Sequence, residues 1–195
     1  MTTLNDRIKR DGIVVNESIL KIDSFLNHQI DPLVISQIAE KLYDHYKETG
    51  VTKILTIEAS GIAPALMTAQ QFEVPMLFAK KATPSTLLEE QYKTDIHSYT
   101  KNITNSVIVS KEYLSQNDVV LIVDDFLASG QAAMGLIDLV KQAGAKVAGV
   151  GICVEKSFQG GREELEKMDV DVYSISRIAS LKSNEVTFVE EARHE

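Results

Sequence analysis

Residues 119–133 read Val119-Val-Leu-Ile-Val-Asp-Asp-Phe-Leu-Ala-Ser-Gly-Gln-Ala-Ala133, and the fold class can be argued outward from this segment. Its first five residues are apolar and mostly β-branched, which predicts a strand that is buried on both faces and ends at Val123. The carboxylates of Asp124 and Asp125 follow that strand. Apolar residues then recur at helical spacing across residues 133–140. The segment therefore predicts a strand, an acidic pair, a loop of small residues and a helix.

The loop between the acidic pair and the helix has the composition of an anion-binding turn. Ala128, Ser129 and Gly130 are small enough for the chain to bend tightly and for a ligand to approach the backbone. The helix start offers unpaired N–H groups and the positive end of the helix dipole, which suit a phosphate. Carboxylates beside an anion site imply a ligand that also carries hydroxyls, a cation or developing positive charge. A phosphorylated sugar meets these requirements.

Composition narrows the class of protein. With 195 residues and 44% hydrophobic content, the chain can bury a substantial core and is expected to form one domain over residues 1–195. The formal net charge of −8 argues against a general affinity for nucleic acid or for an anionic membrane. The sequence lacks a run of ~20 apolar residues, an apolar signal-peptide core at its start and a second cysteine to pair with Cys153. We therefore expect a cytoplasmic protein.

Strands alternate with helices along the rest of the chain. An aspartate–proline pair at positions 31 and 32 marks a helix start, and strands are predicted at residues 53–57, 74–79 and 146–154. This alternation predicts an α/β fold with a mostly parallel central sheet flanked by helices. Because ligands bind at the carboxyl ends of parallel strands, polar residues that follow these strands should converge on one edge. They are Glu58, Lys80, Asp124, Asp125 and Lys156.

Other segments are less regular. Residues 82–95 are polar without a sustained period, and a stretch of this length in a compact domain is usually functional or disordered. Residues 96–99 and 106–109 are interpreted as an antiparallel pair joined by a turn at 101–105. Residues 170–173, 178–181 and 186–189 are interpreted as separate short strands or edges. His97 is assigned no role, and Gly160-Gly161 is interpreted as a turn because it lacks the other glycines of a nucleotide loop.

The acidic pair, followed by two apolar residues and the small residues around Gly130, resembles the phosphoribosyl-pyrophosphate (PRPP) signature of type I phosphoribosyltransferases. The likeness extends to three other segments, which are Leu20-Lys-Ile-Asp-Ser-Phe-Leu-Asn-His-Gln-Ile-Asp-Pro32, Thr56-Ile-Glu-Ala-Ser-Gly-Ile-Ala-Pro64 and Glu155-Lys-Ser-Phe158. Within the family it is greatest to bacterial members that act on xanthine. The resemblance implies the family's fold, with a small hood over the base site formed by about residues 13–31 and 177–190.

The resemblance also implies where PRPP lies. One set of residues matches the family's PRPP-binding positions: Ala128, Ser129, Gly130, Gln131, Ala132, Glu58, Ala59, Ser60, Gly61 and Lys80. Many relatives end the signature with threonine, whereas Ala132 offers no hydroxyl, which leaves more of the phosphate contact to Ser129 and backbone amides. Glu58 is either a structural cap or a contact to the sugar or its metal.

Three residues are implied in catalysis: Asp124, Asp125 and Lys81. The two aspartates would hold the ribose hydroxyls and face the reacting carbon, and Asp125 would also receive or orient the proton of the base. The family has a mobile loop that closes over pyrophosphate with a basic residue. Lys80 and Lys81 are both candidates for that residue, with Lys81 ahead.

Four residues match or adjoin the family's base-binding positions: Leu20, Asn27, Lys156 and Phe158. Lys156 would donate to the exocyclic oxygen of a 6-oxopurine, and Phe158 would stack on the ring or pack in the core. An ammonium donor disfavours adenine, whose 6-amino group is also a donor and would leave a buried polar group unpaired. The residues alone leave the choice among xanthine, guanine and hypoxanthine open.

The implied activity is purine salvage by transfer of the 5-phosphoribosyl group from PRPP to xanthine, which gives xanthosine 5′-monophosphate (XMP) and pyrophosphate. The implied cofactor is Mg²⁺ carried with PRPP, without an assigned protein ligand, and the implied assembly is a homodimer without nucleic-acid or membrane partners. One alternative is a hypoxanthine/guanine phosphoribosyltransferase. The other is a non-catalytic PRPP-binding regulator, which would need a nucleic-acid-binding element.

Overall fold

The structure is a computed structural model, and it describes residues 3–81, 90–98 and 103–189. The helices are α1 (Leu4–Asp11), α2 (Pro32–Tyr46), α3 (Ile62–Phe72), α4 (Gln131–Gln142) and α5 (Gly161–Glu166). The strands are β1 (Ile13–Val15), β2 (Ile19–Lys21), β3 (Lys53–Ile57), β4 (Met76–Lys81), β5 (Gln91–Ser98), β6 (Ile103–Ser110), β7 (Val119–Leu127), β8 (Lys146–Lys156), β9 (Val172–Ser180) and β10 (Thr187–Phe188). A π-helical turn spans Asp23–Asn27, and 3-10 turns span Ser157–Gln159 and Lys182–Asn184.

An eight-stranded sheet organises the chain in the order β10-β9-β8-β7-β3-β4-β6-β5. Its five central strands, β9, β8, β7, β3 and β4, run parallel to one another. The outer strands β10, β6 and β5 pair antiparallel at the two edges. Strands β1 and β2 form a separate antiparallel hairpin. The predicted α/β fold with a mostly parallel sheet is confirmed.

Two apolar cores cover the two faces of the sheet. Helices α1, α2 and α3 contribute to one core and α4 and α5 to the other. Along β7, Leu121 and Val123 enter the first core, whereas Val120 and Ile122 enter the second. All four side chains are fully buried, which explains why this strand is apolar without alternation. Among the helices of the described residues, none has the length and apolarity needed to cross a membrane.

The predicted start of α2 is confirmed. Asp31 is the N-cap, and its carboxylate accepts a hydrogen bond from the backbone N–H of Leu33 at 3.0 Å. Pro32 occupies the first helical position, where a missing N–H costs nothing because it would have no partner inside the helix.

Strand β7 ends later than predicted. It continues to Leu127, so that Asp124 and Asp125 lie within the strand rather than after it. The parallel ladder with β8 continues through the pairs Asp124–Ile152, Phe126–Val154 and Leu127–Glu155. Backbone pairing on the β8 side therefore extends the strand past the change from apolar to acidic side chains.

Strand pairing also corrects the predicted limits of three other segments. Residues 91–95 are not irregular, because β5 pairs with β6 from Gln91 to Ser98. The predicted turn at 101–105 is wrong over its last three residues, since β6 begins at Ile103. The separate strands predicted at 170–173 and 178–181 are one strand, because β9 follows β8 without a break from Val172 to Ile178. In each case hydrogen bonds to a neighbouring strand determine the limits.

We predict that Gly149→Ala destabilises the protein. A Cβ at Gly149, in β8, would lie 2.9 Å from Cζ of Tyr46, whose ring is fully buried and whose hydroxyl donates to the carbonyl of Val150 at 3.1 Å. Overpacking of this kind costs about 1–3 kcal/mol, which thermal unfolding should register as a lower Tm. In a Tyr46→Leu background the ring is absent, so the same change should cost less. Fully additive effects of the two substitutions would contradict the predicted contact.

Candidate active site

The acidic pair is buried in the ligand-free protein. The side chains of Asp124 and Asp125 are 6% and 8% exposed, and the backbone N–H of Asp125 donates to Oδ1 of Asp124 at 2.9 Å. Burial raises the pKa of Asp124 well above its ordinary value, and the neighbouring Asp125 carboxylate raises it further. The pair is therefore unfavourable by itself, and a ligand that offers hydroxyl donors or positive charge would stabilise it.

A second loop, residues 58–61, lies against the acidic pair. A Cβ added to Gly61 would come within 2.7 Å of Oδ1 of Asp124, so only glycine fits beside this carboxylate. Oε1 of Glu58 accepts a hydrogen bond from the backbone N–H of Lys81 at 2.8 Å. The Glu58 side chain thus links the ends of β3 and β4 through one carboxylate oxygen, which is a structural contact that does not involve its second oxygen. The loop also includes Ala59, which is exposed, and Ser60, which is half-buried.

We call residues 128–132 the phosphate loop, after the ligand that the sequence predicts for it. Gly130 has a φ of +83°, a left-handed conformation that favours glycine, and it caps α4 without a side-chain hydrogen bond. The first N–H groups of α4, which begin at Gln131 and Ala132, are therefore available to an anion. The loop borders a cavity of about 470 Å³, which falls within the usual size of small-ligand sites.

The two candidate lysines lie side by side at the end of β4. Lys80 and Lys81 are both exposed, and Nζ of Lys80 lies 5.6 Å from the centroid of the Phe78 ring. β4 runs parallel to β3, so both lysines lie near the loop of residues 58–61. The loop expected to close over pyrophosphate includes residues 82–89, which lie outside the described part of the chain.

Lys156 joins the end of β8 to the β1–β2 hairpin. Its Nζ donates to the backbone carbonyl of Ser18 at 3.0 Å and lies 5.5 Å from the centroid of the Phe126 ring. Burial lowers the pKa of Lys156. Phe158, in the adjoining 3-10 turn, is 44% exposed, so it does not pack in the core and its ring is available for stacking.

Leu20 and Asn27, the two base-binding candidates in the predicted hood, differ in what they could offer to a ligand. Leu20 is buried in an apolar core, with 4% of its surface exposed. Asn27 ends the π-helical turn, and its Oδ1 is buried without a hydrogen-bond partner among the described residues. Because an unpaired buried acceptor is unfavourable, Asn27 would gain from a ligand N–H. The two segments predicted to form the hood are joined by a hydrogen bond, in which the N–H of Ser183 donates to Oε1 of Glu17 at 2.9 Å.

The expected convergence on one edge of the sheet is present. Glu58, Lys80, the acidic pair and Lys156 lie at the carboxyl ends of four strands in the order β8-β7-β3-β4, which run parallel. The side chains nevertheless divide between two regions. Glu58 faces β4, whereas Lys156 faces the hairpin.

Sequence reasoning missed several residues that line the cavity at the phosphate loop: Ile96, His97, Phe126 and Gln159. The β5–β6 hairpin reaches the cavity by packing across α4, where a Cβ on Gly135 would meet Cγ1 of Ile96 at 2.6 Å. Nδ1 of His97 lies 3.1 Å from Oγ1 of Thr104. Phe126 lies inside the signature segment but was assigned no role, whereas the other three residues belong to no local motif and are revealed only by long-range packing. The available signal was Gly135, a glycine inside a helical pattern, which often marks close packing.

We predict that Asp124→Asn raises the Tm of the ligand-free protein at neutral pH. The folded-state pKa of Asp124 lies above the ordinary value of ~3.9, so wild-type stability falls as pH rises from that value towards the raised pKa. Asparagine removes this loss, and the gain in Tm should shrink as the pH is lowered towards ~4.

Asp118→Asn is the matched control for this measurement. Burial alone would raise the pKa of Asp118, but hydrogen bonds from Ser115 and Lys53 hold it below its ordinary value. Asp118→Asn should therefore lower the Tm at neutral pH. A fall in Tm for both variants would show that the acidic pair is not unfavourable in the empty site.

Comparison with known proteins identifies the family. Residues 21–191 match the phosphoribosyl transferase domain. The chain is 60% identical over 191 residues to the xanthine phosphoribosyltransferase of Macrococcus caseolyticus, covering 98% of each chain, and 56% identical over 191 residues to that of Staphylococcus aureus, covering 98% of this chain and 100% of the other.

Solved structures agree at the level of the fold. An APRTase from Giardia lamblia complexed with 9-deazaadenine has a TM-score of 0.77 at 22% identity and covers 91% of this chain and 98% of its own. The adenine phosphoribosyltransferase of Rhodothermus marinus has a TM-score of 0.74 at 23% identity, with 90% and 98% covered. The domain match and the high identity to two members establish that this chain belongs to the type I phosphoribosyltransferase family.

Proposed function

We propose that the protein transfers the 5-phosphoribosyl group from PRPP to xanthine, giving XMP and pyrophosphate. The observation that carries this proposal is the buried acidic pair of β7, in which Asp124 lies against Gly61 and which stands two residues before the phosphate loop. Such an arrangement suits a sugar with a phosphate at one end and pyrophosphate at the other. The high identity to two xanthine phosphoribosyltransferases supports the choice of base.

The two loops would hold the two ends of PRPP. Backbone N–H groups at the start of α4 and the hydroxyl of Ser129 would bind the 5-phosphate. Residues 58–61 would bind the pyrophosphate, with Lys80 and Lys81 at the adjoining strand end. Asp124 and Asp125 would accept hydrogen bonds from the ribose hydroxyls, which relieves the cost of burying two carboxyl groups without a ligand.

In the transfer step, the bond between C1 of the ribose and the pyrophosphate oxygen breaks, and its electron pair leaves with pyrophosphate. A ring nitrogen of the purine supplies the electron pair of the new bond to C1. The sugar gains positive charge between these events, and the carboxylates of Asp124 and Asp125 stabilise it from a preorganised, water-poor position. The proton displaced from the purine passes to Asp125, or to a group that Asp125 orients.

Mg²⁺ would accompany PRPP and offset charge on the departing pyrophosphate. Among residues 3–81, 90–98 and 103–189, no group of three or more His, Cys, Asp or Glu side chains is arranged to hold a metal ion. The buried Asp124–Asp125 pair offers carboxylate oxygens, the ligand type that this ion prefers. We propose that PRPP oxygens and water would supply most ligands of the ion, and that a carboxylate oxygen of the acidic pair would be available as a further ligand.

The base would lie between the end of β8 and the hood. Lys156 would donate to the 6-oxo group, and the exposed ring of Phe158 would stack on the purine. Asn27 Oδ1 would accept from a ring N–H, which satisfies an acceptor that is otherwise buried without a partner among the described residues. Leu20 would supply an apolar wall from β2.

We also propose one catalytic domain over residues 1–195, with the hood formed by about residues 13–31 and 177–190, and a homodimeric assembly. The contacts of the hood support this division. The Ser183–Glu17 hydrogen bond joins its two segments, and the Lys156–Ser18 hydrogen bond joins it to the sheet.

The proposed function predicts a ranking of bases. With PRPP and Mg²⁺ present, nucleotide formation should be fastest at low concentrations of xanthine, slower with guanine and hypoxanthine, and negligible with adenine. Chromatography of the products measures each rate. A higher kcat/KM for guanine or hypoxanthine than for xanthine would show that xanthine is not the preferred base. PRPP binding without turnover of any purine would indicate a regulator.

We predict that Lys156→Met raises the KM for xanthine at least about tenfold, because methionine keeps much of the apolar stem but loses the donor to the 6-oxo group. The KM for PRPP should change much less. Lys21→Met is the matched control, since Lys21 is an exposed lysine of β2 in the same hairpin region. If the KM for PRPP rises more than that for xanthine, Lys156 does not bind the base.

A further inference from the structure

Glu155 is a buried charge that the transfer chemistry does not use. Its side chain is 1% exposed, and it accepts hydrogen bonds from two serines and two arginines. Ser157 and Ser174 donate at 2.6 Å each, Nη2 of Arg162 at 2.7 Å and Nε of Arg177 at 3.1 Å. Burial alone would raise the pKa of Glu155, but these donors, Arg162 foremost, hold it at about 2. The carboxylate is therefore charged throughout the working pH range.

Several hydrogen bonds together fix the guanidinium of Arg162. Its Nε and Nη2 both reach the Glu155 carboxylate, at 3.0 and 2.7 Å from Oε2. Nη1 donates to the backbone carbonyl of Val172 at 2.8 Å. A charge-assisted pair with two donors fixes the direction of the guanidinium as well as its position. The backbone around Arg162 is consequently fixed relative to β8 and β9.

The residue before Arg162 supports the phosphate loop directly. The N–H of Gly161 donates to the carbonyl of Ala128 at 3.0 Å. A Cβ on Gly161 would lie 2.7 Å from the nitrogen of Gly130 and 3.0 Å from the carbonyl carbon of Ser129. Two stretches of backbone thus touch without intervening side chains, so a shift of Gly161 moves the loop.

Strand pairing connects Glu155 to the phosphate loop independently of Arg162. Glu155 pairs with Leu127, the residue immediately before the phosphate loop, in the parallel ladder of β7 and β8. It also pairs with Arg177 on β9. Glu155 is therefore fixed to the start of the loop through the sheet and to the middle of the loop through Arg162 and Gly161.

Resting on the proposed function, the geometry points to Glu155 and Arg162 as positioning residues for the phosphate loop, which hold Gly161 against Ala128 and Gly130 so that the loop's N–H groups stay aimed at the sugar phosphate. Neither residue touches the phosphate itself. Arg177 shares the same carboxylate, but among the described residues no hydrogen bond of its side chain leads to the loop, which makes it the control.

The test compares Arg162→Lys with Arg177→Lys. Each variant keeps a positive charge beside Glu155 and loses the planar guanidinium. Binding of ribose 5-phosphate to the full-length protein, measured by titration calorimetry, should weaken at least about tenfold in Arg162→Lys. It should stay within about threefold of wild type in Arg177→Lys. In turnover assays, Arg162→Lys should raise the KM for PRPP more than the KM for the purine.

The outcomes separate the inference from the proposed function. If the wild-type protein binds ribose 5-phosphate but turns over no purine, the proposed function is wrong. The affinities of Arg162→Lys and Arg177→Lys for ribose 5-phosphate still test whether Arg162 positions the loop. Equal affinity in Arg162→Lys and wild type overturns the inference, as do equal losses in both arginine variants. Failure of wild type to bind ribose 5-phosphate would overturn both.

A second variant guards against loss of folding in Arg162→Lys. Gly161→Ala keeps Glu155 and all four side chains that donate to it, but introduces a methyl group 2.7 Å from the nitrogen of Gly130. It should weaken ribose 5-phosphate binding to a similar extent, with the purine KM changed less. Unchanged affinity in Gly161→Ala would show that the contact does not set the loop geometry.

Discussion

The parallel pairing of β7 with β8 is the constraint on which the site depends. It runs from the Val119–Lys146 pair to the Leu127–Glu155 pair and carries the chain four residues beyond the apolar segment. Without that extension, Asp124 and Asp125 would lie in a loop, free to turn towards water. Inside the strand both are buried, Oδ1 of Asp124 lies beside Gly61, and the phosphate loop starts from a fixed point.

The proposed site contains buried polar groups that a ligand would stabilise. Asp124 and Asp125 are buried next to each other, and Oδ1 of Asn27 is buried without a partner among the described residues. Glu155 is the opposite case, because two serines and two arginines donate hydrogen bonds to its carboxylate. The groups proposed to bind the substrate are thus less stable in their surroundings than the neighbouring carboxylate that supports the loop.

Local sequence signals were sufficient for the centre of the fold. The apolar run of β7, the glycine at 130 and the Asp31 cap each determine structure through their immediate neighbours, and each was predicted. The errors lie where distant pairing decides, as at the end of β7 and at the joined strand β9. Gly160-Gly161 was interpreted as a turn, but Gly161 is the first residue of α5, and its contact with Ala128 depends on residues more than thirty positions away. His97 reaches the cavity for the same reason, through a hairpin that crosses α4.

The hydrogen bond from Lys156 to the carbonyl of Ser18 has a consequence for substrate binding. This bond joins the β1–β2 hairpin to the end of β8. On the proposed function, the same ammonium recognises the oxygen of the incoming purine. Because an ammonium carries three N–H donors, one side chain can hold the Ser18 carbonyl and the purine oxygen together. Recognition of the base and attachment of the hairpin would then share a single cation, so a purine that lacks the oxygen would lose contact with both.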